Sequence, residues 1–552
     1  MVLIVGEVEM GYADRRKSEP GRERLEFVSQ RMKVRRRHAM SISTTVYSRG
    51  MHRRYREPGK ESASPSGLFS VEIVRALETA AIQAGTSGFA LMHRAGVAAL
   101  QVLRARWPAA REILVLCGGG NNGGDGYVLA RLARDAGLSP RVLAAVPVDR
   151  LTGDAARAAA DCAKGGTPIE PASVSALAAA DVIVDALLGI GLQADVRPEL
   201  GALIHRINEM RVPVLALDMP SGLCADTGQV RGMAVRAALT VTFIARKKGL
   251  WLGSGPDYAG EVVLADLAVR ASHVDASLHL LDEADLFIGL PPRARDVHKG
   301  CFGHILMVGG GQGMPGAVRL AGEAALRAGA GRVTVWASPE SALAVAAGCP
   351  ELMVRGMGTA TAPTEVLGAA EVIAIGPGLG RGEWGRASFA NTLEVACARQ
   401  IALVLDADAL NLLAEQPGIT LPRRCVLTPH PAEAARLLGR STADIQRDRY
   451  GSLKELADRY AATVVLKGAG TLISDDIPWI CDRGTPAMAA PGMGDVLTGV
   501  IAALLGQGFS PVQSARLGVL WHALAGEVAA AGIDRGVLAS EVLTALPKVL
   551  AS

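Results

Sequence analysis

Two stretches of the chain concentrate residue types that can hold and transform an anionic ligand. The first is Gly118-Gly119-Gly120-Asn121-Asn122-Gly123-Gly124-Asp125-Gly126, directly after the β-rich run Ile113–Cys117. Glycines let backbone amides approach a phosphate, and the asparagines add amide donors and carbonyl acceptors. A tight Gly/Asn turn would explain one or two such residues, not nine. Asp125, an anion beside an expected anion site, is left without a reason. The second stretch is Ala490-Pro491-Gly492-Met493-Gly494-Asp495, followed by the apolar run Val496–Leu505. Gly492 and Gly494 free backbone amides at a helix N-terminus, which favours phosphate charge. Asp495, in the first turn, can accept the proton of an attacking hydroxyl.

A lone G-x-G-D is no more than a helix cap, but other strings add weight to it. Lys467-Gly468-Ala469-Gly470-Thr471 joins two β-rich runs, as a turn over a nucleotide phosphate would. Thr428-Pro429-His430-Pro431-Ala432-Glu433, Asp406-Ala407-Asp408-Ala409-Leu410-Asn411 and Gly376-Pro377-Gly378-Leu379-Gly380 each follow a β-rich run as well. In the first half, Val182–Val184 ends at Asp185, and Val214–Leu217 ends at Asp218-Met219-Pro220-Ser221-Gly222. One acid there reads as a cap or turn residue. Two acids, two asparagines and a serine at one sheet edge make a polar pocket, whose hard oxygens suit an alkali or alkaline-earth cation rather than zinc. His430, between two prolines at a strand-to-helix switch, is placed to touch a ligand. His93, His205, His304 and His522 have no such setting. The chain holds no Walker A, H-x-E or H-E-x-x-H string.

Strands alternating with helices must position these motifs. Ile113–Cys117, Arg141–Val146, Val182–Leu187, Val214–Leu217, Leu239–Ile244 and Glu261–Leu264 form one series, with helices such as Tyr127–Ala136 and Gly201–Met210 between them. His304–Val308, Arg332–Trp336, Val372–Ile375, Ala402–Leu405, Cys425–Leu427 and Val464–Leu466 form a second. Alternation of this kind predicts α/β domains with parallel sheets covered on both faces. The pattern breaks near residue 280. The expected organisation is a basic, unstructured extension over 1–66, one domain over 67–275, a linker over 276–290 and a second domain over 291–552. The two halves do not read as copies.

The 552 residues are 49% hydrophobic and 20% charged, which excludes wholesale disorder. Residues 1–66 carry 15 Lys and Arg against 8 Asp and Glu, so the excess positive charge sits there and the rest is close to neutral. The whole-chain charge therefore says little about nucleic-acid binding, and nucleic acid is not an expected partner. No apolar run approaches the roughly 18–20 residues of a membrane-spanning helix. Eight scattered cysteines without a C-x-x-C pair suit a reducing cytoplasm.

The string Asn121 to Gly126, with Asp185 and Asp218-Met219-Pro220-Ser221-Gly222, resembles the epimerase domain of NAD(P)H-hydrate repair enzymes, over about Ser66 to Ala271. The resemblance implies a Rossmann-like domain in which Asn121, Asn122, Gly123, Gly124 and Asp125, with Gly189, Ile190, Gly191, Leu192, Gln193, Ala194 and Asp195, hold the hydrated dinucleotide. It also implies that Asp218 is a catalytic residue contacting the hydrated ring, and that Asn122, Asp185 and Ser221 ligate K+. From about Leu281 onward, Gly313-Met314-Pro315-Gly316-Ala317, T-P-H-P-x-E, K-G-A-G-T and D-A-D-A-L-N resemble the ribokinase-like NAD(P)H-hydrate dehydratases. That resemblance implies that Ala317, Gly378, His430 and Asp495 contact the S hydrate, with Asp495 catalytic. Lys467, Gly468, Ala469, Gly470, Thr471 and Gly494 would hold the adenine nucleotide, with Mg2+ riding on it.

The expected function is bifunctional repair. R- and S-NADHX and NADPHX are interconverted, and the S form is dehydrated at the expense of ADP, giving AMP and phosphate. A homo-oligomer without nucleic-acid or membrane partners is expected. Two alternatives stay open: an ordinary small-molecule kinase in the second half, and a non-catalytic binding module, with RNA as a candidate ligand, in the first.

Overall fold

Short apolar runs rich in Val, Ile and Leu can be buried on both faces only when helices cover a parallel sheet from either side. The computed structural model, which describes residues 44–47 (backbone only), 66–271, 274–357, 367–416 and 418–551, contains two such sheets among these residues. In the first, the strands run in the order Thr44–Tyr47, Glu261–Ala265, Leu239–Phe243, Val214–Leu217, Val182–Ala186, Glu112–Cys117, Ser139–Ala144, Ile169–Pro171. All neighbours are parallel except Thr44–Tyr47, which pairs antiparallel with Glu261–Ala265. From Glu112–Cys117 the chain winds to one edge through Ser139–Ala144, then returns to start the other half at Val182–Ala186. The direction of winding therefore reverses between Glu112–Cys117 and Val182–Ala186, and a crevice opens at such a switch point.

The second sheet follows the same rule. Its order is Met353–Gly356, Arg332–Ala337, His304–Val308, Val372–Ile375, Ala402–Leu405, Cys425–Leu427, Thr463–Leu466, Thr471–Ile473, Trp479–Cys481, Leu278–Leu280, Gly67–Leu68. The switch point lies between His304–Val308 and Val372–Ile375. Five adjacent parallel strands, from His304–Val308 to Thr463–Leu466, deliver their carboxyl ends to one edge in sequence order. Helix Met493–Gly506 packs beneath that edge. Its residues Val496–Leu505 are buried throughout, and a Cβ at Gly499 would lie 2.1 Å from the Ala321 carbonyl of helix Pro315–Arg327. Only glycine lets the two backbones approach so closely, and that approach fixes where Asp495 stands.

Two expectations change. The glycine-rich string of the first half is not a loop before a helix: helix Asn121–Asp135 begins at its first asparagine. A Cβ at Gly123 would fall 2.1 Å from the Gly118 carbonyl, and one at Gly124 2.4 Å from Met92. These glycines pack the helix onto its strand and onto helix Gly88–Arg106, a constraint that residue types alone do not reveal. The stretch 276–290, expected as a linker, holds strand Leu278–Leu280 and the capped helix Glu283–Gly289. Most of the 1–66 extension lies outside the described residues, although Thr44–Tyr47 forms the edge strand noted above.

The halves also interlock. Gly67–Leu68 closes the second sheet antiparallel to Leu278–Leu280, and the next residue, Phe69, bridges to Lys247 of the first half. Met219, Leu250 and Trp251 share one apolar cluster with Leu466, Leu472 and Ile480.

Candidate functional site

In the first half, a cavity of about 910 Å³ opens at the switch point. Its walls include Gly118–Asn122, Asp125, the run Leu187–Arg197 and Asp218, together with Arg75, Glu78 and Lys247, which motif reading did not single out. Of the expected dinucleotide-contacting residues, Asn121, Asn122, Asp125 and all of Gly189–Asp195 line the cavity. Gly123 and Gly124 do not; they are buried in the helix packing.

Asp218 follows strand Val214–Leu217 with φ 62°, a left-handed conformation that Asp tolerates better than most residues. Its Oδ1 accepts the Phe243 amide (3.1 Å) and the ammonium of Lys247, which also donates to the Phe243 carbonyl (2.6 Å). Lys247 is almost wholly buried, so this cation is committed to Asp218. Burial drives Asp125 well above the ordinary carboxylate range, with the charges of Asp218 and Glu78 adding and Lys247 opposing. Burial, then the charge of Asp218, raises Glu78 also. Burial thus disfavours the charged form of Asp125, which eases the difficulty of an anion beside an anion site. The cavity offers one ion-paired carboxylate beside two carboxyls that favour holding a proton.

Beneath the cavity, Asp185 and Ser221 are fully buried. Ser221 Oγ donates to Asp185 Oδ1 (2.6 Å), while the Ser221 and Leu187 amides donate to Asp185 Oδ2 (2.7 Å) and Oδ1 (3.2 Å). Burial still carries the Asp185 carboxyl up to about 6 against these hydrogen bonds. Ser221 Oγ accepts the Leu188 amide (2.8 Å), and Asn122 Nδ2 donates to the Leu188 carbonyl (3.0 Å). The three residues expected to ligate K+ thus meet around Leu188. Asn122 Oδ1 is buried there without a hydrogen-bond partner. An orphaned amide oxygen beside a carboxylate, a hydroxyl and a backbone carbonyl is a donor set that fits a hard cation.

In the second half, the strand-end motifs converge as their order in the sheet requires. Lys467, between strands Thr463–Leu466 and Thr471–Ile473, donates through Nζ to Asp406 Oδ1 (2.7 Å) and lies 3.9 Å from Glu433. Asp406 also accepts the hydroxyls of Thr428 and Thr498 (2.8 Å each). Burial pushes Asp406 up, but Lys467 and these hydroxyls outweigh it and hold the carboxyl low. A Cβ on Gly494 would sit 3.2 Å from Lys467 Nζ, so the G-x-G-D turn rests against this pair. Gly492, at φ 89°, makes the left-handed cap that starts the helix carrying Asp495.

Asp495 makes no hydrogen bond or ion pair among the described residues, and burial, reinforced by Asp406, takes it up to about 7. Glu433 reaches about 7 from the same two causes. His430 caps helix Pro431–Leu438 through Nδ1, and its Nε2 lies 3.2 Å from Glu433 Oε1. Burial and Lys467 lower its basicity. Ala317 and Gly378 meet at the switch point, where the Gly311 amide bonds to the Gly378 carbonyl (2.7 Å) and a Cβ at Gly378 would touch Ala317.

The motif reading passed over His522. It is buried with Nε2 unpartnered, hydrogen-bonded to the Met493 backbone, and burial lowers it to about 4. Lys247 had a signal, since it follows a strand end as Asp218 does, four residues after Phe243. Glu78, on helix Val71–Gln83, had none.

Comparison with known proteins agrees with this division. Residues 88–249 match the family model described as YjeF-related protein N-terminus, and residues 305–548 match that of NAD(P)H-hydrate dehydratase. The bifunctional NAD(P)H-hydrate repair enzyme Nnr of Coxiella burnetii is 46% identical over 86% of this chain and 97% of its own length. The enzyme of the same name from Escherichia coli is 42% identical over 87% of this chain and 93% of its own. Among solved structures, the Bacillus subtilis ADP/ATP-dependent NAD(P)H-hydrate dehydratase is 30% identical and covers 49% of this chain and 96% of its own, with a TM-score of 0.43. Identity at this level over nearly the whole length of its relatives, across both halves, shows that the chain belongs to the bifunctional NAD(P)H-hydrate repair enzyme family.

Proposed function

We propose that the first half epimerises the R and S hydrates of NADH and NADPH, and that the second dehydrates the S hydrate with ADP as phosphoryl donor. The observation that carries this reading is the pair of carboxylates in unlike settings. Asp218 is ion-paired to a buried lysine at the wall of a cavity sized for a dinucleotide, and Asp495 stands unpaired beside a lysine–aspartate pair. In the hydrate, water has added across the C5–C6 bond of the nicotinamide ring, leaving a hydroxyl on C6. Asp218 contacts the hydrated ring at C6, the centre whose configuration the first half exchanges. Asn121, Asn122 and the Gly189–Asp195 run hold the rest of the dinucleotide.

In the second half, Asp495 takes the proton of the C6 hydroxyl as its oxygen bonds to the β-phosphorus of ADP, and AMP leaves. The C6–O bond then breaks with its electron pair on phosphate, a C5 proton is lost, and the ring double bond returns. Hydroxide is a poor leaving group and phosphate a good one, which is why a nucleotide is consumed. A group titrating near 7 suits the base role. The Lys467–Thr471 loop and Gly494 supply the cation and the amides that steady the transferring charge.

Asn122, Asp185 and Ser221 would hold K+, whose charge would compensate the buried Asp185 and fix the two loops at the switch point. Mg2+ would be carried by the phosphates of ADP, because it keeps several waters and binds through substrate phosphates more readily than through an all-protein cage. Eight free cysteines, six of them buried, support a cytoplasmic setting.

The test is a mixture of NADHX epimers incubated with ADP, following recovery of NADH absorbance and analysing the nucleotide products. AMP and free phosphate uphold the reading, whereas a persistent phosphoester means an ordinary kinase. The cation reading has its own test: Asp185→Ala should slow epimerisation and abolish its response to K+. A variant that epimerises normally in potassium-free buffer contradicts it.

A further inference from the structure

Arg449 opens helix Arg449–Tyr460, directly behind the Lys467–Thr471 turn. It is 6% exposed. Its guanidinium donates to three carbonyls at the two ends of that turn, those of Leu466 (3.1 Å), Lys467 (3.3 Å) and Gly470 (3.2 Å), and to Gln446 Oε1 (3.2 Å). Among the described residues no carboxylate pairs with it, and burial holds the guanidinium down to about 10. A cation this deep with only neutral acceptors is costly, which asks for a purpose beyond packing.

Backbone geometry supplies one. Across a trans peptide the C=O and the following N–H point in opposite directions. Gripping the Lys467 carbonyl therefore turns the Gly468 amide away from Arg449, off the face of the turn that the guanidinium occupies. Gly468 sits at φ 143°, open only to glycine, and a Cβ there would lie 2.9 Å from Arg449 Nη1. On its other flank the turn is closed by the first half, since a Cβ on Gly470 would lie 3.1 Å from the Trp251 carbonyl. The turn is thus clamped between a buried fork of donors and the neighbouring half.

We infer that Arg449 is a positioning residue for nucleotide binding: by holding the Lys467 and Gly470 carbonyls it aims the amides of the turn, and it lends its uncompensated charge, to the phosphates of ADP. This rests on the reading of Lys467–Thr471 as the nucleotide turn. Lysine cannot replace the fork, because a single ammonium does not span carbonyls at both ends of a turn.

The experiment measures KM for ADP and kcat of dehydration on the S hydrate, with epimerisation by the same chain as internal control, for R449Q, R449K and A469E. Losing hydrogen bonds to a charged group should raise KM for ADP by about 10- to 100-fold in R449Q. With ADP saturating, kcat should stay within about threefold of wild type, epimerisation should be unchanged, and R449K should be intermediate. A469E places a carboxylate on the exposed tip of the turn and should raise KM as well. If A469E raises KM and R449Q does not, Arg449 has no positioning role. If neither moves KM, the turn does not hold the nucleotide, and the underlying reading fails with it. Should R449Q not fold, R449K decides: a several-fold rise in KM upholds the inference, and a wild-type KM overturns it.

Discussion

Both halves place a lysine–aspartate pair at the edge of a parallel sheet, but the lysine serves a different aspartate in each. In the first half Lys247 grips Asp218, the carboxylate proposed to touch the substrate. In the second, Lys467 grips Asp406, and Asp495 stands free beside the pair, close to half-ionised at neutral pH. A carboxylate whose task is to hold a polar group gains from a permanent counter-ion. One whose task is to take a proton would be weakened as a base by the same contact. The comparison teaches that the partner of an acidic residue, more than its place at a strand end, decides its chemistry.

The largest expected effect comes from removing the free base. Asp495→Asn keeps the shape but cannot take a proton, so NADH recovery from the S hydrate should fall by ~10²–10⁴-fold while epimer exchange continues. In the wild type the active form is the carboxylate, so dehydration should decline as the pH drops through about 7. A rate that stays flat from pH 8 to pH 5 would remove Asp495 from the base role.

Next in size is the ion pair of the first half. Lys247→Met leaves Asp218 without its counter-ion. Epimerisation should drop by about 10- to 100-fold, the loss expected for a hydrogen bond between charged groups. Dehydration of pure S hydrate should persist, and Lys247→Arg should recover part of the lost rate. Equal loss of both activities would mean that the pair serves the fold rather than the site.

A smaller effect separates packing glycines from ligand-binding ones. Gly123→Ala puts a methyl group 2.1 Å from the Gly118 carbonyl, and overpacking of this kind costs about 1–3 kcal/mol. The melting temperature of the first half should fall, with KM for the hydrate little changed at temperatures where the protein stays folded. A raised KM with unchanged stability would return Gly123 to the ligand.

The second site was the more legible in the sequence because its motifs end successive strands of one sheet. Once the strands are read as parallel and adjacent, Gly376–Gly380, Asp406, Thr428–Glu433 and Lys467–Thr471 fall in a row without further information. The first site needed contacts that residue order does not contain. Glu78 reaches the cavity from a helix that precedes the first parallel strand of its sheet, and Gly123 and Gly124 look like a phosphate loop until the helix covering them is seen. Asp125 was legible as a residue and illegible as a charge, because only its burial shows that its carboxyl is pushed above the ordinary range. The stretch 276–290 looked like a linker because three-residue strands and a seven-residue helix leave too short a pattern to read. His522 and Arg449 lie on helices among residues of ordinary helical type, and their distance from the motifs closes only in three dimensions.

That two separable sites share one chain is tested most directly by mixing two damaged proteins. Asp218→Asn and Asp495→Asn are each incubated with pure R hydrate and ADP, then combined, and the epimers and NADH are resolved by chromatography over time. Alone, Asp218→Asn should recover NADH only as fast as the R hydrate epimerises spontaneously. Asp495→Asn should accumulate S hydrate without NADH. Combined, they should convert R hydrate to NADH at a rate near that of the wild type, since S hydrate made by one protein can diffuse to the other. A mixture no faster than Asp218→Asn alone, with both variants folded by circular dichroism, would show that the two aspartates must act within a single centre.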